Sequence, residues 1–284
     1  MLTIDHIQKH YPNFKLDLSL TIPTRKITGV LGPNGAGKTT FFKLLLNLTT
    51  PDHGTLTINN QPLKTWITKN PESISATFPD SGFNENLTIT EINQLLKSFY
   101  PNTISADFLT QCQQLNLSTT QPIKSFSTGM QAKLKLLIAL SHKATLLVLD
   151  EPTTGLDVTV RQTIIKLIKT YHYKYPQATI LISSHIASDI DALAENVILI
   201  TDGTLQLQED LNVIKQQYGI FTISHEQFLQ VDNLLLIDHW TNGSQVTCLT
   251  ANRAYFNNIS TIKAPSVDDL LLNFTGSSKE VTVA

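Results

Sequence analysis

Cysteine is nearly absent, with Cys112 and Cys248 standing alone and far apart. That excludes a disulfide-stapled scaffold and a cysteine zinc site, and it fits two inert thiols in a reducing cytosol. Charge is scarce too, at 15% of residues against roughly 25% in ordinary soluble proteins. Asn, Gln, Ser and Thr fill the surface instead. The formal net charge of −2 gives no general pull toward nucleic acid or an anionic membrane, so no nucleic-acid partner is expected. No run approaches the ~20 apolar residues of a spanning helix. MLTIDHIQKHYP lacks the basic-then-apolar layout of a signal peptide. The chain is therefore expected in the cytoplasm, serving any membrane from outside the bilayer.

What is present is a substantial core. The 284 residues, 41% of them hydrophobic, suit one large domain or a domain with a small appendage. LTIDHI, FKLDLSLTI and KITGVL alternate as strands do. GTLTI and SISATF are also strand-like, and residues 37–48 read as a helix. TEINQLLKSFY, SADFLTQCQQLNL and QAKLKLLIALSH carry apolar residues at helical spacing, so residues 88–143 are expected to be mainly helical. TLLVLD, ATILIS and NVILI are short apolar runs with helical segments between the first two and after the second. That pattern indicates buried parallel strands in an α/β core. From Gly219 the character shifts to FTISHEQFL, LLLIDHW and SQVTCLT, then a helix-like DDLLLNF, which reads as a small α+β extension. There is no internal repeat and no low-complexity tract.

Four motifs carry chemistry. GPNGAGKTT, from Gly32 to Thr40 between a strand and a helix, has the P-loop spacing G-x-x-x-x-G-K-T. Its backbone N–H groups and helix start favour an anion. Gly32, Pro33, Asn34, Gly35, Ala36, Gly37, Lys38, Thr39 and Thr40 are the expected phosphate cradle. Lys38 neutralises the outer phosphates and Thr39 offers its hydroxyl to Mg²⁺. LLVLDEP ends an apolar strand in two carboxylates, which is poor core design unless the strand end faces a ligand crevice. Asp150 then suits Mg²⁺, through water, and Glu151 suits orienting or deprotonating an attacking water. ATILISSH ends another strand at His185, either a packing histidine or a donor to the γ-phosphate or the water. In FSTGMQAKL, Ser127 reads as a helix N-cap and Gly129 permits close backbone approach. On that segment alone an ordinary cap suffices. Beside a complete P-loop, a second exposed helix start suggests another anion contact, offered to a partner subunit.

GPNGAGKTT, FSTGMQAKL, LLVLDEPTTGLD and SSH together resemble, in order and rough spacing, an ABC-transporter ATP-binding subunit, over about residues 1–218. The resemblance implies that Ser127 and Gly129 contact the γ-phosphate of ATP held by the opposite subunit. It implies that Thr154–Asp157 form the D-loop at the same interface, with Asp157 among the nucleotide-facing residues, and that Tyr11 stacks on adenine. STGM resembles the signature of bacterial drug- and antibiotic-export ATPases. Lys133 stands where arginine is common, which keeps the charge and loses the bidentate fork. ISATFPDSGFNENLT occupies the Q-loop place without a glutamine. An ungapped reading puts Pro79 there and Asp80 beside it, as a candidate ligand of Mg²⁺ or water. APSVDDLLLNFTG resembles the short helix that ends many export-type members, and equally reads as a helix patching the extension.

The expected fold is thus a P-loop α/β core with an N-terminal antiparallel β portion and a helical subdomain at about 82–143. An accessory region follows at 219–284. The expected function is ATP hydrolysis at a dimer interface, with ATP and Mg²⁺ as cofactors, driving export through a separate permease at the cytoplasmic membrane face. The second ATPase subunit is another copy or a paralogue. Two alternatives compete: a catalytically weak regulatory subunit, favoured by the missing glutamine, and a non-transport ABC ATPase. Against the second stand the single cassette, the short span from Lys38 to Ser127 and the lack of basic excess.

Overall fold

A computed structural model of the chain describes residues 1–82, 84–101 and 107–274. The N-terminal hairpin pairs β1 (Leu2–Tyr11) with β2 (Phe14–Ile22). Then come β3 (Ile27–Leu31), α1 (Lys38–Leu45), β4 (His53–Ile58), β5 (Gln61–Pro62), α2 (Leu63–Lys69) and β6 (Ile74–Thr77). Three helices follow, α3 (Ile89–Phe99), α4 (Phe108–Gln114) and α5 (Thr128–Ala139). The chain continues through β7 (Leu146–Leu149), α6 (Val158–Lys174), β8 (Thr179–Ser183), α7 (Ala187–Leu193), β9 (Asn196–Thr201), β10 (Thr204–Asp210) and α8 (Leu211–Gln217). Beyond these lie β11 (Gly219–Ser224), α9 (His225–Phe228), β12 (Asp238–Asn242), β13 (Gln245–Thr250) and α10 (Val267–Phe274).

Ten strands form one sheet in the order β5-β4-β1-β2-β10-β9-β3-β8-β7-β6. The stretch β9-β3-β8-β7-β6 is parallel, and β1, β2, β4 and β5 pair antiparallel. This is the mixed α/β arrangement expected of a P-loop core. The parallel strands show why their sequences do not alternate. In β7, Leu146 and Val148 face a core cluster holding Phe41 and Phe42 of α1. Leu147 and Leu149 face the opposite cluster, with Ile164 and Ile168 of α6 and Ile190 of α7. Both faces are covered, so every residue of the strand is apolar. Helices α3, α4 and α5 enclose a separate cluster around Ile92, Phe108 and Leu134. The start of α3 is fixed by a reciprocal cap: Thr88 Oγ1 accepts the Glu91 N–H at 3.3 Å, and Glu91 Oε2 accepts the Thr88 N–H at 2.7 Å.

Beyond residue 218 the expected α+β character divides among short strands and short helices in the described residues. FTISHEQFL divides at Ser224, whose hydroxyl caps α9, so only its first half is strand. LLLI does not enter β12. The Asp232 carboxylate accepts the Leu234 N–H at 3.0 Å, which starts a 3₁₀ turn and leaves Leu234 92% exposed. β11, β13 and β12 form a three-stranded antiparallel sheet. One face packs Phe221, Val246 and Cys248 against Phe256. From the other, Ile220 and Leu249 join the large core, as do Val267 and Leu270 of α10. Of the tail helix expected over 264–276, α10 covers Val267–Phe274, and residues 275–276 lie outside the described residues. Cys112 and Cys248 are buried free thiols, and burial pushes them up to about 12 and about 11.

Candidate active site

The parallel sheet places three strand ends side by side, because β3, β8 and β7 are consecutive neighbours. Each ends in a piece of the site, at the sheet edge where α/β proteins bind ligands. The loop after β3 is the P-loop. Gly32 has φ 149°, and a Cβ there would sit 2.1 Å from the Ile200 carbonyl oxygen. Gly37 has φ 106°, and a Cβ would meet Leu16 and Phe14 at 2.7 Å. Gly37 is the N-cap of α1 and offers no side chain to it. Among the described residues, the N–H groups of Gly37, Lys38 and Thr39 find no acceptor. A helix start left open this way is an anion site in waiting.

Lys38 is buried, 7% exposed, and curls back to donate to the carbonyls of Gly32 at 2.7 Å and Pro33 at 3.0 Å. Burial holds its ammonium below the usual lysine range, partly opposed by the carboxylates of Glu151 and Asp150. Its Nζ lies 3.9 Å from Glu151 Oε1.

After β7, Asp150 is 2% exposed yet fully paired. Thr39 Oγ1 donates to its Oδ2 at 2.6 Å, and Ser183 Oγ donates to its Oδ1 at 2.6 Å. Ser183 also accepts the Glu151 N–H at 2.8 Å, so one hydroxyl at the end of β8 holds both acids. Glu151 sits at φ 50°, a left-handed conformation unusual for a side chain of its size. Strain of that kind persists where the surroundings over-determine it. The Glu151 carboxylate receives Thr154 Oγ1 at 2.7 Å and lies 2.7 Å from His185 Nδ1, through Oε2 in both cases. His185 stays half-exposed.

The structure therefore gathers Lys38, Thr39, Asp150, Glu151 and His185. Ser183 escaped the sequence reading. Its signal was a serine closing the apolar run ILI, which means little until the register of β8 on β7 is known.

The remaining candidates lie around this centre. Tyr11 ends β1, 45% exposed, with its ring centroid 6.5 Å from that of Phe14, the side chain lying against Gly37. Ser127 and Thr128 are exposed at the start of α5, and Ser127 Oγ accepts the Met130 N–H at 3.3 Å. Gly129 backs onto Val160, since a Cβ there would come within 3.1 Å of Val160 Cγ2. Val160 belongs to the first turn of α6, which the exposed Asp157 caps by accepting the Val160 N–H at 2.9 Å. The starts of α5 and α6 are thus neighbours. A cleft of about 210 Å³ separates Thr128 and Lys135 from Asp150, Glu151, Thr154 and Pro79. Lys135 Nζ crosses to the Pro79 carbonyl at 3.1 Å. Asp80 is exposed and has no hydrogen bond or ion pair among the described residues.

Residues 16–154 match the family model described as ABC transporter. The chain is also 31% identical over 216 residues to the ABC transporter ATP-binding protein NatA of Bacillus subtilis (strain 168), covering 70% of this chain and 87% of that one. The chain belongs to the ABC transporter ATP-binding family. It is 29% identical over 214 residues to the lantibiotic transport ATP-binding protein SrtF of Streptococcus pyogenes, over 74% of this chain and 91% of that protein. Its fold matches the dimeric structure of a post-hydrolysis state of the ATP-binding cassette MJ0796 bound to ADP and Pi. The TM-score is 0.64 and the identity 21%, covering 74% of this chain and 99% of that one. This ABC ATPase holds Asp150, Glu151 and its open helix start at one sheet edge. Among its described residues, no helix is long and apolar enough to cross a membrane.

Proposed function

We propose that this ATP-binding subunit hydrolyses ATP between two subunits, and that the cycle drives export through a separate membrane permease. One observation carries the reading. The start of α5 at Ser127 and Thr128 is exposed while the P-loop, Asp150, Glu151 and His185 converge within the chain. A γ-phosphate seated at Lys38 then has a second donor set available only from a companion subunit. The isologous symmetry of a two-fold dimer supplies two such sites, from two copies or from this chain and a paralogue.

Within one site, the P-loop residues Gly32–Thr40 cradle the phosphates and Tyr11 offers its face to adenine. Glu151 orients or deprotonates the attacking water, and His185 donates to the transferring phosphoryl group. The donor set also suits Mg²⁺, a hard ion that takes oxygen ligands and keeps part of its shell from phosphate and water. Thr39 Oγ1 and the Asp150 carboxylate, 2.6 Å apart, are its residues. No cluster of three or more His, Cys, Asp or Glu among the described residues forms an all-protein cage. When bound, the ion neutralises charge developing on the phosphates.

Removing the γ-phosphate deletes what two subunits share, so the dimer opens, and that cycle works on a permease docked near the helical subdomain at 82–143 and the loop at 79–88. The subunit then lies on the cytoplasmic face of the membrane. Export follows the STGM form of the signature, and the likeness to SrtF, a lantibiotic transport protein, supports a transport role. Residues 1–218 act as the ATPase unit, with 219–284 as its accessory region.

A second reading has one observation in its favour. The Pro79 loop lacks the glutamine, and Asp80 touches none of the site residues. On that reading the chain binds ATP as a weakly catalytic regulatory subunit. Steady-state hydrolysis of the purified chain and of Glu151→Gln decides between them. The hydrolytic reading expects slow turnover in the parent, a ~10²–10⁴-fold loss in the variant, and an ATP-trapped dimer by gel filtration. No turnover by the parent, even beside its permease, would establish the regulatory reading.

A further inference from the structure

Beneath the site lies a carboxylate that the roles above leave unused. Asp189, in the first turn of α7, is 0% exposed. Burying a carboxylate is costly unless it is paired and hydrogen-bonded. Its partners are distributed in an informative way. Thr153 Oγ1, also wholly buried, donates to Asp189 Oδ2 at 2.6 Å. Arg161 Nε lies 3.0 Å from Asp189 Oδ1, an ion pair without the alignment of a hydrogen bond, and Arg161 Nη2 donates to the neighbouring Ser188 at 2.9 Å. Thr153 and Arg161 flank the segment 154–157, so one side chain grips both ends of that exposed loop.

Asp189 also follows His185 closely in the chain, the histidine lying in the bend between β8 and α7. Ser184, adjacent to that histidine and buried, points its hydroxyl at Asp189 Oδ2 at 3.5 Å and accepts the Ile186 N–H at 3.0 Å. The held loop reaches straight into the hydrolytic pair. Thr154 Oγ1 donates to Glu151 Oε2 at 2.7 Å and lies 3.4 Å from His185 Nδ1. A displacement of segment 154–157 therefore moves the hydroxyl that holds Glu151 and neighbours His185.

We propose that Asp189 is a positioning residue for hydrolysis, clamping Thr153 and Arg161 so that the exposed loop between them sets the Glu151–His185 geometry. The proposal rests on the reading of that pair as hydrolytic. A carboxylate that served packing alone would be replaceable by apolar groups with little loss, and its partners need not be the two flanks of one loop.

The test uses the full chain and the mild variant Thr153→Val, which keeps shape and deletes the donor. Asp189→Asn is the harsher companion, and thermal unfolding checks that each remains folded. Thr153→Val is expected to lower kcat about tenfold, a small displacement at a reacting centre being enough for that. KM and equilibrium ATP affinity stay within about twofold. Thr153→Ser, which keeps the hydroxyl, restores kcat. In the His185→Ala background Thr153→Val should cost less than about twofold more, because residues acting as a unit are non-additive. Three results overturn the proposal alone: an unchanged kcat in Thr153→Val, a KM change that carries the whole effect, or a full additional tenfold loss in the His185→Ala background. A His185→Ala variant with parental kcat instead overturns the hydrolytic reading of the pair, and the positioning role with it.

Discussion

The helix that starts at Lys38 and the helix that starts at Thr128 meet the same requirement, unpaired N–H groups in the first turn, in opposite ways. The first is entered through Gly37 at φ 106°, with no side chain over its end and a buried lysine folded back on the loop carbonyls. The second is entered through Ser127 in extended conformation, whose hydroxyl already serves the Met130 N–H. Among the described residues both starts keep open N–H groups, those of Gly37, Lys38 and Thr39 at the first and of Thr128 and Gly129 at the second, where the serine closes Met130 alone. A phosphate at Lys38 meets a bare helix end backed by a buried lysine. A phosphate at Ser127 meets a partly capped end at the surface. That asymmetry suits a site that holds nucleotide tightly from one side and intermittently from the other.

The strongest way to break the comparison is to remove the charge from the first start. Lys38→Met leaves the Gly32 and Pro33 carbonyls without their donor and the phosphates without a cation. Hydrogen bonds to charged groups are worth about 1.5–3 kcal/mol, so ATP affinity should fall about 10- to 150-fold. Isothermal titration of the purified chain reads this directly. A loss under about threefold would mean that the open N–H groups alone carry the phosphate.

Titration sharpens the same contrast without changing a residue. Lys38 is buried and its ammonium is held below the usual range. The unfolded chain thus binds the proton more readily than the folded one between the depressed value and 10.5. Linkage makes the empty protein gain stability from this group as pH rises through that window. ATP binding has the opposite sign, since it needs the charged form and should weaken over the same window with proton uptake on binding. Unfolding and titration series across alkaline pH, each compared with Lys38→Met, expose the two slopes. Parallel slopes would contradict the burial argument.

What the sequence made legible divides along these lines. The P-loop and the Asp150–Glu151 pair could be read because phosphate chemistry demands fixed residue types at short spacing. The parallel strands could be read because burial on both faces leaves no polar position in LLVL or in the ILI of β8. Ser183 could not, since its role depends on β8 lying beside β7 with Leu149 opposite Ile182. The Thr153–Asp189–Arg161 contacts join three segments whose proximity no local pattern encodes. LLLI before β12 reads only as part of the α+β extension, and there the Asp232 side chain captures the backbone into a 3₁₀ turn.

The smallest effect is expected at the second start, and it separates capping from phosphate contact. Ser127→Ala removes the cap and should cost about 1 kcal/mol of stability, which in a chain of this size lowers Tm by roughly 2–4 °C. Ser127→Gly keeps a tolerated cap residue and should cost only a few tenths of a kcal/mol. If the serine serves only its own helix, the two variants differ in every property in proportion to stability. If it also reaches a neighbour's γ-phosphate, both lose the ATP-trapped dimer of the Glu151→Gln background to the same extent, despite their unequal Tm. Both should still bind ATP as monomers, because the Lys38 start is untouched. A dimer that survives in Ser127→Gly and weakens only in Ser127→Ala would reduce the second helix start to an ordinary cap.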